Sequence, residues 1–150
     1  MFLFIALLSL IAAGVISTAY FFIVLLLTLA AYILYALGCY RMFQKAGVTG
    51  ILAWIPIVNT YFSYKIAWNS VAFGGYLISD IISNFKHDGH KTFLAWVFGI
   101  VAVVINFLYT QKLSKAFGKS EFFGLGLFIF EPIFIMIIGF GDAQYLGPQN

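Results

Sequence analysis

The sequence predicts an all-α integral membrane bundle: about four transmembrane helices and one short amphipathic surface helix, in a single domain over residues 1–150. Three observations predict it. Of the 150 residues, 63% are hydrophobic and only 9% carry a charge, against roughly 25% charged in an ordinary soluble domain. The mean hydropathy is +1.03. Residues 2–38 contain no charge at all. So few charges cannot coat a water-facing surface, which excludes a soluble globular protein and a disordered chain. Eight Lys/Arg against five Asp/Glu give a net charge of +3 with no dense basic patch, which excludes a nucleic-acid partner.

The first span is expected at about 17–43. The uncharged run before Cys39 exceeds the roughly 20 residues that one straight crossing needs. It reads as one tilted helix, or as two crossings with a very short first one, Phe2–Ala13. No Lys/Arg-bearing leader precedes it, so cleavage after Ala19 is not expected. Cys39 is the single cysteine; alone it forms no internal disulfide and holds no zinc, and it reads as a helix-packing residue. Arg41 and Lys45 mark a cytoplasmic boundary by the positive-inside rule, and Gly47 and Gly50 stop the helix.

The second span is expected at about 51–68, interrupted by Pro56, Asn59, Ser63 and Lys65. Its aromatic residues are of the interfacial-belt type, and a re-entrant segment is the competing reading. Leu77, Ile78, Ile81, Ile82 and Phe85 recur at helical spacing with Ser79, Asp80, Ser83 and Asn84 between them, so residues of about 71–85 are expected to lie on the membrane surface. Spans at about 92–113 and 121–140 follow, separated by Lys112, Lys115 and Lys119. This pattern places the lysine-rich ends in the cytoplasm and the C-terminus outside, provided that Ile51–Trp68 crosses. A short echo links Ile57-Val58-Asn59 and Lys65-Ile66 with Val104-Ile105-Asn106 and Lys112-Leu113, of the kind internal repeats leave.

Several motifs point to a family. Lys45-Ala46-Gly47, Trp54-Ile55-Pro56-Ile57-Val58-Asn59, Leu113-Ser114-Lys115-Ala116-Phe117-Gly118-Lys119 and Gly139-Phe140-Gly141-Asp142-Ala143-Gln144-Tyr145 occur in that order. Over about Tyr40 to Tyr145 the chain resembles an uncharacterised bacterial family of small multi-helix membrane proteins. The resemblance implies the bacterial cytoplasmic membrane. Related domains occur beside type I signal peptidase domains, which implies a link to protein export. The family supplies no catalytic residues. Val58 stands where it usually has an aromatic residue, residues 69–91 are longer than usual, and Glu131 is outside the pattern.

Glu131 is the residue best suited to chemistry, because a charge at the bilayer centre costs about 3 kcal/mol and must face the protein interior. Counting inward from the cytoplasmic lysines puts Asn59 and Asn106 at a similar depth, so the three form an expected midplane cluster for a proton or cation. The alternative role is structural: a neutral Glu131 donating to a neighbouring helix, beside the helix-loosening Pro132. His87 and His90, with Asp88 between them, have metal-ligand spacing but too few partners, so no metal site and no cofactor is expected. The Ser63/Lys65 and Ser114/Lys115 pairs point apart on a helix and do not make a nucleophile. Trp54, Pro56, Tyr61, Tyr64 and Trp68 form an expected docking surface. The resulting expectation is a non-enzymatic scaffold or accessory subunit, with lipids and either a second copy or another membrane protein as partners. The alternative is a proton- or cation-conducting protein centred on Glu131.

Overall fold

The computed structural model describes residues 18–87 and 90–149. The question whether residues 2–38 cross once or twice depends on residues 2–17, outside that range. The described residues form an all-helical architecture with one minimal β-hairpin. The order is α1 (Thr18–Lys45), a 3-10 turn (Gly50–Trp54), α2 (Pro56–Ala67), α3 (Ser70–Ser83), β1 (Lys86–His87), β2 (His90–Lys91), α4 (Phe93–Ala116), α5 (Glu121–Ile129) and α6 (Glu131–Phe140). Two helical stretches are long and apolar enough to cross a membrane: Tyr20–Lys45 in α1, and α4.

The distribution of polarity is inverted relative to a water-soluble fold. Leu26, Leu27, Phe93, Ile100 and Phe122 are among the exposed side chains, while Ser63, Ser79, Thr110 and Ser114 are buried. The apolar core lies toward the end of the molecule where α1 and α4 terminate. Phe43, Leu113, Phe117, Leu127, Ile135 and Ile138 fill it.

Gly47 and Gly118, just past α1 and α4, adopt φ of +72° and +66°, a left-handed stop that glycine takes without a Cβ penalty. After each, the chain climbs back along the helix it has left, then reverses. After α1, Val48 N–H donates to Phe43 O at 2.9 Å, and the 3-10 turn climbs until the Tyr32 hydroxyl donates to Trp54 O at 2.8 Å. Ile55 is extended, as the residue before a proline prefers, and Pro56 opens α2. That helix descends to Ala67, whose carbonyl accepts from Gln149 N–H at 3.0 Å.

The segment after α4 repeats this path. α5 climbs beside α4, with Phe128 packed edge-on against Phe107 at 5.5 Å. It ends at Phe130, because Pro132 has no N–H to continue the ladder. α6 then descends beside α1: Tyr35 meets Glu131 near its start, and Lys45 Nζ donates to Ile138 O and Gly141 O near its end. A Cβ on Gly139 would lie 2.5 Å from Gly38 O, so the two glycines permit the close approach of α1 and α6.

The geometry of this path differs from three expectations. Residues 51–68 and 121–140 are not continuous helices; each rises and returns to the end it left. α2 and α6, with 12 and 10 residues, reach only about 18 and 15 Å at ~1.5 Å per residue, short of a ~30 Å hydrocarbon core. The C-terminal tail lies at the lysine-rich end rather than opposite it, since Leu146 N–H donates to Ala116 O and Lys112 Nζ to Gln149 O. And α3, expected flat on a surface, packs antiparallel along α4, with Gly75 against Ile105 and Gly99 against Ser83. Its Ser79 and Ser83 face inward, and Val71, Ile78 and Ile81 face outward. The true internal echo pairs Lys45-Ala46-Gly47 with Lys115-Ala116-Phe117-Gly118, not Asn59 with Asn106, which sit in a short returning helix and a long one.

Candidate functional site

The two reversals, α1, α3 and α4 enclose a partly open cavity of about 500 Å³. Each helix contributes residues at helical spacing, so one face of each is turned inward. α1 supplies Thr28, Tyr32 and Tyr35; α2 supplies Pro56, Asn59, Ser63 and Tyr64; α3 supplies Phe73, Tyr76 and Asp80; α4 supplies Asn106 and Tyr109; α6 supplies Glu131 and Pro132. Both proline-led helices, α2 and α6, begin at its wall.

The expected midplane cluster is thus brought to one cavity, with its members in different roles. Asn59 is buried and committed: its Nδ2 donates to Ala53 O at 2.8 Å, and its Oδ1 accepts from Ser63 Oγ at 3.2 Å. It ties the climbing turn to the descending helix. Asn106 lines the opposite wall from α4. Glu131 sits in the first turn of α6, where the helix dipole favours negative charge. Its Oε1 accepts from the Tyr35 hydroxyl at 3.4 Å. Asp80 is the second carboxylate of the wall, and no Lys, Arg or His is among the described lining residues.

Tyrosine dominates the rest. Tyr64 stacks on Tyr109 with centroids 4.2 Å apart and planes at 11°, and on Tyr76 at 5.4 Å and 25°. Phe73 meets Tyr64 edge-on at 6.0 Å. Tyr64 is 1% and Tyr109 2% exposed, yet neither hydroxyl has a hydrogen-bond partner among the described residues. Such orphaned buried groups are rare and costly.

The expected docking surface does not form one face. Tyr64 belongs to the core and the cavity wall. Tyr61 packs against Phe62 and Phe73. Trp68 lies under Lys112 Nζ at 4.8 Å. Pro56 lines the cavity, and Trp54 remains exposed. His87 and His90 pair backbone to backbone across the hairpin; their side chains, with Asp88 and Gly89, lie outside the described residues. No group of three His, Cys, Asp or Glu side chains able to hold a metal occurs among the described residues.

Tyr35, Tyr76 and Tyr109 were not singled out from the sequence, and Asp80 was considered only as a weak addition to His87 and His90. The available signal was the spacing of polar and aromatic residues on otherwise apolar helices: Thr28, Tyr32 and Tyr35; Tyr76 and Asp80; Asn106 and Tyr109.

Fold and cavity define an all-helical protein with two membrane-length helices around an acidic, tyrosine-lined cleft. The chain belongs to a family of unknown function (DUF5684), whose profile matches residues 51–148. That range contains α2 to α6, Glu131 and Tyr145. No curated protein and no solved structure matches the chain.

Proposed function

We propose that this protein is a multi-pass protein of the bacterial cytoplasmic membrane that binds a proton or cation at Glu131 and conducts it across the bilayer. The observation that carries the reading is Glu131 itself, a carboxylate in the first turn of α6 that lines the cavity and accepts from the Tyr35 hydroxyl at 3.4 Å. An intramembrane carboxylate facing a cavity is a functional site by default. In this reading α1 and α4 cross, α3 together with residues 84–92 carries the chain back to the start of α4, and residues 46–68 and 120–141 are re-entrant. Irregular backbone at membrane depth is tolerated where it lines a cavity, and broken helices at the midplane are a recurrent transporter device. A second copy would help to close the path.

Reconstitution into liposomes with a potassium- or proton-sensitive dye tests this reading. Wild type is expected to pass a cation down its gradient, and Glu131→Gln to reduce the flux at least tenfold. Equal flux from both, or none above empty liposomes from either, contradicts the proposal.

A second reading, an accessory subunit tied to export, draws on Trp54 and Ile57, which stand exposed. In-cell crosslinking from Trp54 would then recover a stoichiometric foreign membrane protein. Recovery of self-crosslinks alone contradicts it.

A further inference from the structure

We propose that the ion taken up at Glu131 is a proton, and that Tyr35 holds the carboxyl group in both of its protonation states. The inference rests on the cation-site reading and names its ion. Access is the first argument. Glu131 lines the cavity of about 500 Å³ and is half-buried rather than closed off, so water in the cavity reaches its carboxyl oxygens.

The number of oxygens is the second. A divalent metal cation demands about six or more oxygens converging at about 2.0–2.6 Å, whereas a proton needs one. Among the described residues the hydrogen-bond partner of Glu131 is the Tyr35 hydroxyl, at 3.4 Å. The Asn59 amide, expected beside it, is spent on Ala53 and Ser63. No trio of His, Cys, Asp or Glu able to hold a metal occurs among the described residues.

Reversibility is the third. On uptake one O–H bond forms on the carboxylate, the proton comes from cavity water, and no electron moves. The product is neutral, which removes the cost of a charge at membrane depth. The carboxylate accepts from Tyr35, but the protonated acid donates, so the hydroxyl must then accept and send its own proton elsewhere. A phenol does both, and sulfur is a weak acceptor. The Cys39 thiol, one helical turn along α1, lies within hydrogen-bond reach of Tyr35. Tyr35 therefore has an acceptor for its proton in either state. The other titratable groups turned toward the cavity are Tyr32 from α1, Tyr64 from α2, Tyr76 and Asp80 from α3 and Tyr109 from α4. Phenols and thiols ordinarily titrate above about pH 8, so near neutral pH the carboxyl groups are the ones that exchange protons.

The test is infrared difference spectroscopy of the full-length protein in phosphatidylcholine nanodiscs, from about pH 4 to about pH 9, a range that brackets ordinary and buried carboxyl groups. It is run in choline chloride and in potassium chloride, and paired with proton and potassium flux in liposomes. A protonated-carboxyl C=O band is expected to grow as pH falls, to move in deuterium oxide, and to vanish in Glu131→Gln. Its midpoint is expected to be the same in potassium as in choline. Where Glu131→Gln does not purify as a monodisperse protein, Glu131→Asp makes the same assignment by displacing the band. Tyr35→Phe is expected to keep the band and move it to higher wavenumber, because the carboxyl group loses a hydrogen bond. Glu131-dependent flux is expected to be at least tenfold greater for protons than for potassium. A band that potassium suppresses at constant pH overturns the inference, as does the lack of any Glu131-dependent band; an unmoved band in Tyr35→Phe overturns the role of Tyr35. Glu131-dependent potassium flux without proton flux means that the ion is wrong and the cation site stands. A band that titrates while no ion crosses supports the proton site and contradicts conduction.

Discussion

Tyr64 and Tyr109, from α2 and α4, stack nearly parallel at 4.2 Å with both hydroxyls buried and unpartnered among the described residues. An unmet buried hydroxyl costs about 1–3 kcal/mol, whereas the ring keeps its packing when the oxygen is removed. Tyr109→Phe is therefore expected to leave ligand-free stability unchanged or raise it by about 1 kcal/mol. Thermal unfolding in detergent checks this; a loss of stability would mean that the hydroxyl is satisfied.

Gly139 approaches α1 so closely that any Cβ meets the Gly38 carbonyl oxygen. Backbone cannot yield as a side chain can, and overpacking typically costs about 1–3 kcal/mol. Gly139→Val is expected to destabilise by at least that amount and to part α6 from α1, moving Glu131 away from Tyr35. Denaturant titration in mixed micelles gives the magnitude; a neutral effect would deny the close crossing.

Lys45 ends α1 by donating to Ile138 O at 2.7 Å and Gly141 O at 2.5 Å. A cation on the last carbonyls of α6 satisfies orphan acceptors and complements the helix dipole. Lys45→Met is expected to cost about 1–2 kcal/mol, measured in the same titration.

The C-terminal tail is latched by Tyr145, whose hydroxyl donates to Ile66 O at 2.8 Å. Burial raises its pKa above the usual 10.0, so the folded state holds the phenol proton more tightly than the unfolded chain. The sign follows: the latch is fully present below about pH 10 and is lost as pH rises through the raised value. Limited proteolysis of the tail is expected to accelerate in that alkaline range in wild type. Tyr145→Phe is expected to be cleaved faster at neutral pH and to lose the alkaline dependence.

Much of this was legible in the sequence, for identifiable reasons. The long apolar runs of α1 and α4 signal themselves by length. The stops at Gly47 and Gly118, and the inward placement of Glu131, Asn59 and Asn106, follow from glycine conformation and the cost of polar groups in lipid. What misled was periodicity read without direction. α3 is amphipathic, but Val71, Ile78 and Ile81 face outward while Ser79 and Ser83 pack inward, so the pattern that suggests a surface helix also suits a packed one. Residues 121–140 look like one span because hydropathy sees composition, not the reversal that Pro132 imposes after Phe130. Lysines at one end suggested a crossing at Ile51–Trp68, where the chain instead forms a 3-10 turn followed by the 12-residue α2. Pairing Tyr64 with Tyr109 needs the long-range packing of α2 on α4, which no local pattern encodes.

Whether residues 120–141 enter and leave on one side is read most directly by the sidedness of cysteine labelling. In a Cys39→Ala background, single cysteines at Lys119, Gln144 and Phe85 are labelled with a membrane-impermeant maleimide in oriented vesicles. The account predicts that Lys119→Cys and Gln144→Cys react from the same side and Phe85→Cys from the other, because residues 120–141 enter and return, leaving Glu131 at the apex facing the cavity. Labelling of Lys119→Cys and Gln144→Cys from opposite sides would make 121–140 a simple span and would contradict the cavity on which the proposed function depends.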